Sequence, residues 1–341
     1  MQNKFLQAHK TKFNQDDNIP LVAAEDLKFV LGSVWMSVLK LLPRSVLPAA
    51  IGRICRVLGK ILYMVNSTDA QRVRLHLKHF FKDRWSEEEI AVHVHRQLSL
   101  TVWNSLVLSL LPSLKPEQIA QLVNINGIHN IDAIMARGNS VLMLGCHLGP
   151  YAMPVAAALQ GLGYPVHFIG HAFPRHQTSR LYREVYYKRV SKVCEAINLI
   201  NPMDGPPRQL LDILQNGEIL FYLPDQYFVL DHDKRKPRQM VQVNFLSGKV
   251  NLETGGLRLG KRFGAEILTV MPEWIDGSYH TFIEPMELPT KETNPAGLSQ
   301  DLEAFLGLIE TRIKRQPFLW RDLRRTDLLE RMGIEDGPKI P

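Results

Sequence analysis

From Ser140 onward the chain alternates short unbroken apolar runs with longer stretches whose apolar residues recur at helical spacing. Ser140–Cys146 reads SVLMLGC, Pro165–Gly170 reads PVHFIG and Glu218–Leu223 reads EILFYL. Ile197–Ile200 is a shorter run, Glu266–Met271 follows Gly264-Ala265, and Tyr279–Glu284 comes last. Strands buried on both faces carry runs of this kind, because each pleat must shed water on both sides. Helical stretches fall between them: Gly149–Leu162, about His176–Ala196, a segment opened by the Pro-Pro pair at Pro206, and Asp301–Arg315. The alternation predicts an α/β fold, with a mixed, largely parallel sheet flanked by helices.

Upstream the period is helical throughout residues 66–125. Ser67-Thr68-Asp69 reads as a helix cap, and Ser86 to Glu89 as a capping box, in which each side chain satisfies a backbone N–H of the other. Residues 1–25 are polar, without the apolar core of a signal peptide. Leu27–Leu42 is apolar, but its uncharged centre, Phe29–Leu39, is shorter than the roughly 20 residues a membrane span needs. Val46–Val65 carries Arg53, Arg56 and Lys60, spaced to share one helical face. Two such helices suit a membrane interface, with the basic residues toward headgroups. The expected division is therefore 1–65, an N-terminal helical membrane-association segment; 66–330, the α/β domain; and 331–341, a C-terminal tail.

Composition narrows the chemistry. The 341 residues are 45% hydrophobic, enough for a substantial core. A net charge of +7 and a pI of about 9.2 favour anionic partners such as headgroups, nucleic acid or an acidic carrier protein. The tryptophans Trp35, Trp85, Trp103, Trp274 and Trp320 are scattered rather than grouped as a stacking platform, which leaves nucleic acid resting on charge alone. Cys55, Cys146 and Cys194 are odd in number and widely spaced, so neither a disulfide framework nor a zinc ribbon is expected, and a reducing compartment fits. No histidine spacing matches a zinc site, and neither HExxH nor GxSxG occurs. Gly255–Lys261 matches GxxxxGK, but Arg262 stands where a phosphate loop needs Ser or Thr, and the segment reads as helix.

The most informative residue is His147. It follows the run SVLMLGC directly and precedes Gly149-Pro150 and a helix. Ligands of open α/β sheets bind outside the carboxyl ends of strands. Histidine, with an ordinary pKa of about 6.5, takes a proton readily near neutral pH. Gly149 permits a tight turn, and N–H groups at the helix start are candidates to stabilise an oxyanion. Cys146, the neighbour, points to the opposite face and reads as a buried structural thiol.

The segment GCHLGPYAMP resembles the catalytic segment of the late lipid A acyltransferases, the lauroyl/myristoyl transferase family related to glycerolipid acyltransferases. Further segments are similar in family order: Leu223-Pro224-Asp225-Gln226, Val243–Gly248, Thr254-Gly255-Gly256 with Lys261–Ile267, and Gln316–Arg321. The resemblance runs from about residue 25 to 325. It implies an acyltransferase that moves a fatty acyl group from an acyl carrier protein or coenzyme A thioester to a hydroxyl or amine of a lipid or glycolipid. It implies His147 as general base, no metal and no cofactor beyond the acyl co-substrate, and a place on the cytoplasmic face of the bacterial inner membrane. Gly149, Tyr151, Arg175, Arg180, Arg183 and Gln226 are the substrate-binding candidates; the arginines suit donor or acceptor phosphates, and equally a solvated helix face. The basic loop Lys234-Arg235-Lys236 with Arg238 suits headgroups or a carrier protein, or solvent alone.

One departure stands out. The family's acidic residue, five positions after the histidine, is Ala152 here. Either another acid serves, with Asp225 the candidate because it too follows a strand; or His147 works unaided; or the chain has kept binding of lipid or carrier protein without catalysis. A thioesterase, handing the acyl group to water, is a further class. A carboxylate within about 3.2 Å of the His147 ring separates the enzyme reading from the binding one.

Overall fold

The computed structural model describes residues 46–334 and 338, apart from 83, 151, 171–191, 194, 201–206 and 226–239. The apolar run Leu27–Leu42, nearly all of the helix expected over His176–Ala196, and the basic loop around Lys234 lie outside the described residues.

The helical half comes first. Helix α1 (Leu47–Met64) packs against α3 (Glu87–Leu110), as does α2 (Thr68–Phe80). Ser67 caps α2 by accepting the Ala70 N–H, and the capping box at Ser86 and Glu89 opens α3 with both reciprocal bonds in place. α1 buries Leu47, Ile51 and Cys55, while Arg53, Arg56 and Lys60 are all exposed, as their spacing predicts. Its last turns also expose aliphatic side chains: Val57 at 59%, Ile61 at 47% and Met64 at 70%. Among the described residues no helix is long and apolar enough to cross a membrane.

After α4 (Pro116–Val123) the chain enters a seven-stranded sheet of order β1-β9-β8-β2-β5-β3-β4. The strands are β1 (Ile125–Asn126), β2 (Val141–Leu144), β3 (Val166–Ile169), β4 (Leu199–Ile200), β5 (Ile219–Tyr222), β8 (Glu266–Ile275) and β9 (Ser278–Pro285). Every pair is parallel except β8 with β9. The helices α5 (Ile128–Met135), α6 (Ala152–Gly161) and α7 (Pro207–Gln215) fall between successive strands. The fold class read from the sequence is the one observed, a mixed and largely parallel α/β sheet. β2 and β5 are buried at every position, which is why they read as unbroken apolar runs. β6 (Met240–Phe245) and β7 (Gly248–Glu253) form a separate hairpin, and α9 (Pro295–Arg315) packs on β6.

One strand runs well beyond the sequence reading. β8 continues beyond Met271 through Pro272 to Ile275. Past Thr269 it pairs with β9 alone, because β2 ends opposite at Leu144. The open edge needs no N–H from Pro272. The β8–β9 turn is Asp276-Gly277, both at positive φ (48° and 85°), the geometry a two-residue hairpin turn demands.

α8 (Gly255–Arg262) is the helix expected in place of a phosphate loop. Its glycines serve packing. A Cβ on Gly256 would lie 2.8 Å from the Tyr222 ring, and one on Gly260 would lie 2.6 Å from Leu142 Cδ2. Lys261, the motif's lysine, is buried in an ion pair with Asp301 and donates to Thr290 O at 2.9 Å.

Candidate active site

β2 and β5 are adjacent, parallel and in register, with Leu144 opposite Tyr222. His147 lies three residues beyond Leu144, and Asp225 three residues beyond Tyr222. Equal overhangs from aligned strands bring the two side chains together. His147 Nδ1 lies 2.8 Å from Asp225 Oδ1, and the His147 backbone N–H donates to Asp225 Oδ2 at 2.5 Å. The carboxylate thus grips the histidine by ring and backbone at once. Asp225 is 2% exposed, whereas the His147 side chain keeps 27% of its surface open. With a carboxylate accepting at Nδ1, the ring proton sits there and the lone pair sits on Nε2.

The turn carrying His147 is tightly packed. Gly145 N–H donates to Tyr222 O at 2.9 Å, and a Cβ on Gly145 would meet the Phe221 ring at 2.5 Å. Gly149 sits at φ +55°, and a Cβ there would approach Pro272 Cβ at 2.9 Å. Here glycine meets both a left-handed backbone and a close neighbour, as the sequence reading of a tight turn anticipates. Its N–H, however, donates to Leu319 O at 2.7 Å. That bond ties the turn to the segment after α9, and the N–H groups expected to face an oxyanion are those at the helix start.

The segment after α9 holds the other side of this turn. Leu148 bridges Trp320, and Arg321 N–H donates to His147 O at 3.3 Å. Gln316 joins the same segment to β8, accepting from Trp274 N–H and donating to Trp274 O, both at 2.8 Å. Two buried polar residues of α3 complete the scaffold. Gln97 Nε2 donates to Trp320 O at 2.9 Å, and Asn104 Nδ2 to Gly149 O at 3.2 Å. The sequence reading missed both. Their only signal was a polar residue at a core position of a helix, which is uncommon without a partner to satisfy it.

Ala152 opens α6, whose buried face is apolar throughout, including Pro154, Val155, Ala158 and Leu159. Where the resemblance implies a carboxylate from this helix, the acid on the ring comes from the end of β5. Cys146 is buried beside Val270 O and Met271, and burial, reinforced by the Asp225 charge, pushes its thiol up to about 12. It is an inert packing residue rather than a nucleophile.

Asp322 is another residue the sequence reading missed. It lies on the short 3₁₀ turn Arg321–Arg324. Burial raises its carboxyl above the usual range, and Asp225 adds to the rise, while His147, Arg325 and Arg321 pull it back. Tyr151, Arg175, Arg180, Arg183 and Gln226 lie outside the described residues. Among the described residues no group of three or more His, Cys, Asp or Glu is placed to hold a metal ion.

A largely parallel α/β sheet with a histidine and a carboxylate joined at the carboxyl ends of its central strands defines the class, an α/β protein whose candidate site lies at the sheet's carboxyl edge. Over residues 21–325 the chain matches the family model of bacterial lipid A biosynthesis acyltransferases, and it belongs to that family. It is an acyltransferase that acts on a lipid acceptor. A search of curated proteins found no match.

Proposed function

We propose that the protein transfers a fatty acyl group from an acyl carrier protein or coenzyme A thioester to a hydroxyl or amine of a glycolipid, with His147 as general base and Asp225 orienting it. The observation that carries this reading is the 2.8 Å contact between His147 Nδ1 and Asp225 Oδ1 in a chain of this family. Nε2 removes the proton from the acceptor hydroxyl as its oxygen attacks the thioester carbonyl. A tetrahedral oxyanion forms. The C–S bond then breaks, and the departing thiolate takes the proton from the imidazolium. Asp225 holds the ring in the tautomer with Nε2 unprotonated and faces the positive charge that develops, the service a buried carboxylate gives a catalytic histidine. At the start of α6 the N–H groups of Ala152 and Met153 have no partner within the helix and suit the oxyanion, while Pro154, next in the turn, has none to offer.

The reading places the protein at the cytoplasmic face of the inner membrane, where its acceptor lies. What supports a membrane surface as partner is the outer side of α1. Val57, Leu58, Ile61, Met64 and Val65 form one exposed stripe, bordered by Arg53, Arg56 and Lys60. An aliphatic stripe with a cationic border is complementary to an anionic bilayer.

The test is acyl transfer followed by mass spectrometry. Purified protein and His147→Ala are each incubated with acyl carrier protein thioesters or acyl-CoA and a bacterial lipid extract. A new acylated lipid that disappears with His147→Ala is expected and identifies the acceptor. Thioester loss without an acylated product would make the protein a hydrolase, and equal transfer by both proteins would remove His147 from the chemistry.

A further inference from the structure

The turn between His147 and α6 is built on a glycine, a residue with little conformational preference of its own. Gly149 sits at φ +55°, and its backbone is fixed by groups from three other elements. Its N–H donates to Leu319 O at 2.7 Å, after α9, and Pro272 of β8 closes the space where a side chain would go. Its carbonyl accepts from Asn104 Nδ2 of α3 at 3.2 Å. Asn104 is 3% exposed, and burying an amide costs free energy unless it is bonded. Residue 150 is proline and has no N–H. The Gly149 carbonyl is therefore the only hydrogen-bonding handle on the peptide that joins the two residues. α6 begins at Ala152, two residues after that proline.

We propose that Asn104 is a positioning residue of this site. By holding the Gly149 carbonyl on α3, it fixes the path of the chain into α6 and with it the Ala152 and Met153 N–H groups that receive the oxyanion. The role in turnover rests on the acyl-transfer reading above; the aim of the N–H groups can be tested without turnover.

A glycine peptide released from its partner rotates at little cost, because no Cβ opposes the change in ψ. Rotation of the peptide between residues 149 and 150 would swing its carbonyl off α3 and re-aim the chain that follows. Pro154 leaves the first turn of α6 with few N–H groups, so the direction of those at Ala152 and Met153 decides how well the oxyanion is held. Misplacement by about 1 Å costs on the order of a hundredfold in rate. An apolar side chain of similar size could fill the space at 104, but it could not donate to the carbonyl.

Asn104→Leu is that substitution. In acyl transfer it is expected to lower kcat about a hundredfold with the thioester KM little changed, and to leave the acidic limb of the pH profile in place, since His147 and Asp225 keep their contact. Asn104→Asp supplies a donor only when protonated. Its kcat relative to wild type at the same pH is expected to rise from about pH 8 to about pH 6, because burial beside a carbonyl favours the neutral acid. Calorimetry gives the readout that needs no turnover. The probes are an alkylphosphonate carried on phosphopantetheine, whose charged oxygens mimic the oxyanion, and the matching alkyl thioether, which lacks the carbonyl. Asn104→Leu is expected to weaken the phosphonate about a hundredfold and leave the thioether unchanged. Equal weakening of both probes, equal phosphonate affinity in the two proteins, or no phosphonate binding by wild type overturns the proposal. Selective loss of the phosphonate in a protein that transfers no acyl group would uphold the role of Asn104 and sink the transfer reading instead. Should Asn104→Leu fail to fold, Asn104→Asp at high pH provides the same comparison.

Discussion

At the scale of single residues, the site depends on a carboxylate that the familiar motif position lacks. Asp225 holds the His147 ring and its backbone N–H with separate oxygens. Asn at 225 can accept one of those bonds, but its amide would also present a donor, which favours the wrong tautomer. Asp225→Asn is therefore expected to lower kcat by about a thousandfold or more, with KM little changed, by the precedent of orienting carboxylates in triads. Steady-state kinetics on the acyl transfer reaction read this directly. A drop of less than tenfold would mean that His147 is oriented by other groups. The candidacy of His147 was visible in GCHLGP, because a histidine after an apolar run and before a glycine turn is a local pattern. That Asp225 reaches the ring stayed open in the sequence, since its distance from residue 147 depends on strand order.

At the scale of elements, α3 links the helical half to the site. One of its histidines is a probe of that packing. His93 lies against Trp85 and Phe318, with ring centroids 4.7 Å and 6.1 Å away. Burial, assisted by Arg96 and opposed by Glu89, lowers it from 6.5 to about 4. Between those values the unfolded chain binds a proton that the folded chain does not. Stability therefore rises with pH across this window and is lost as pH falls from about 6.5 toward about 4. Thermal unfolding recorded across that range is expected to show Tm falling, with a shallower fall for His93→Phe, which keeps an aromatic ring without the titration. Equal slopes would place the acid sensitivity elsewhere. The same helix shows where periodicity misleads. Gln97 and Asn104 interrupt its buried face, and only the loops they hold, around Trp320 and Gly149, explain them.

At the scale of the molecule, the α1 stripe and the sheet's carboxyl edge are joined through α3, which packs on α1 and holds the turn after His147 through Asn104. Purified protein is expected to float with vesicles containing anionic lipid, and less so at high salt. Replacing Val57 and Ile61 together by Glu should weaken binding at least about tenfold, because each aliphatic side chain kept out of lipid forgoes roughly 1.5 kcal/mol or more. Both positions are exposed in the folded chain, so its Tm should stay close to the wild-type value. Undiminished flotation of the double variant would move the contact to another surface.

What the sequence determined alone is what short-range spacing controls. Buried parallel strands announce themselves as unbroken apolar runs, and capping boxes and glycine turns lie within a few residues of the groups they satisfy. The α/β class, the helical first half and the candidacy of His147 all followed from such patterns. Tertiary structure decided which acid reaches that histidine, because the answer depends on β2 and β5 being neighbours in register, with their ends 78 positions apart in the chain. It also decided that Gly149 N–H is taken by Leu319 O and that Gln97 and Asn104 hold the loops around Trp320 and Gly149. These are facts of strand order and long-range packing, and no periodicity along the chain encodes them.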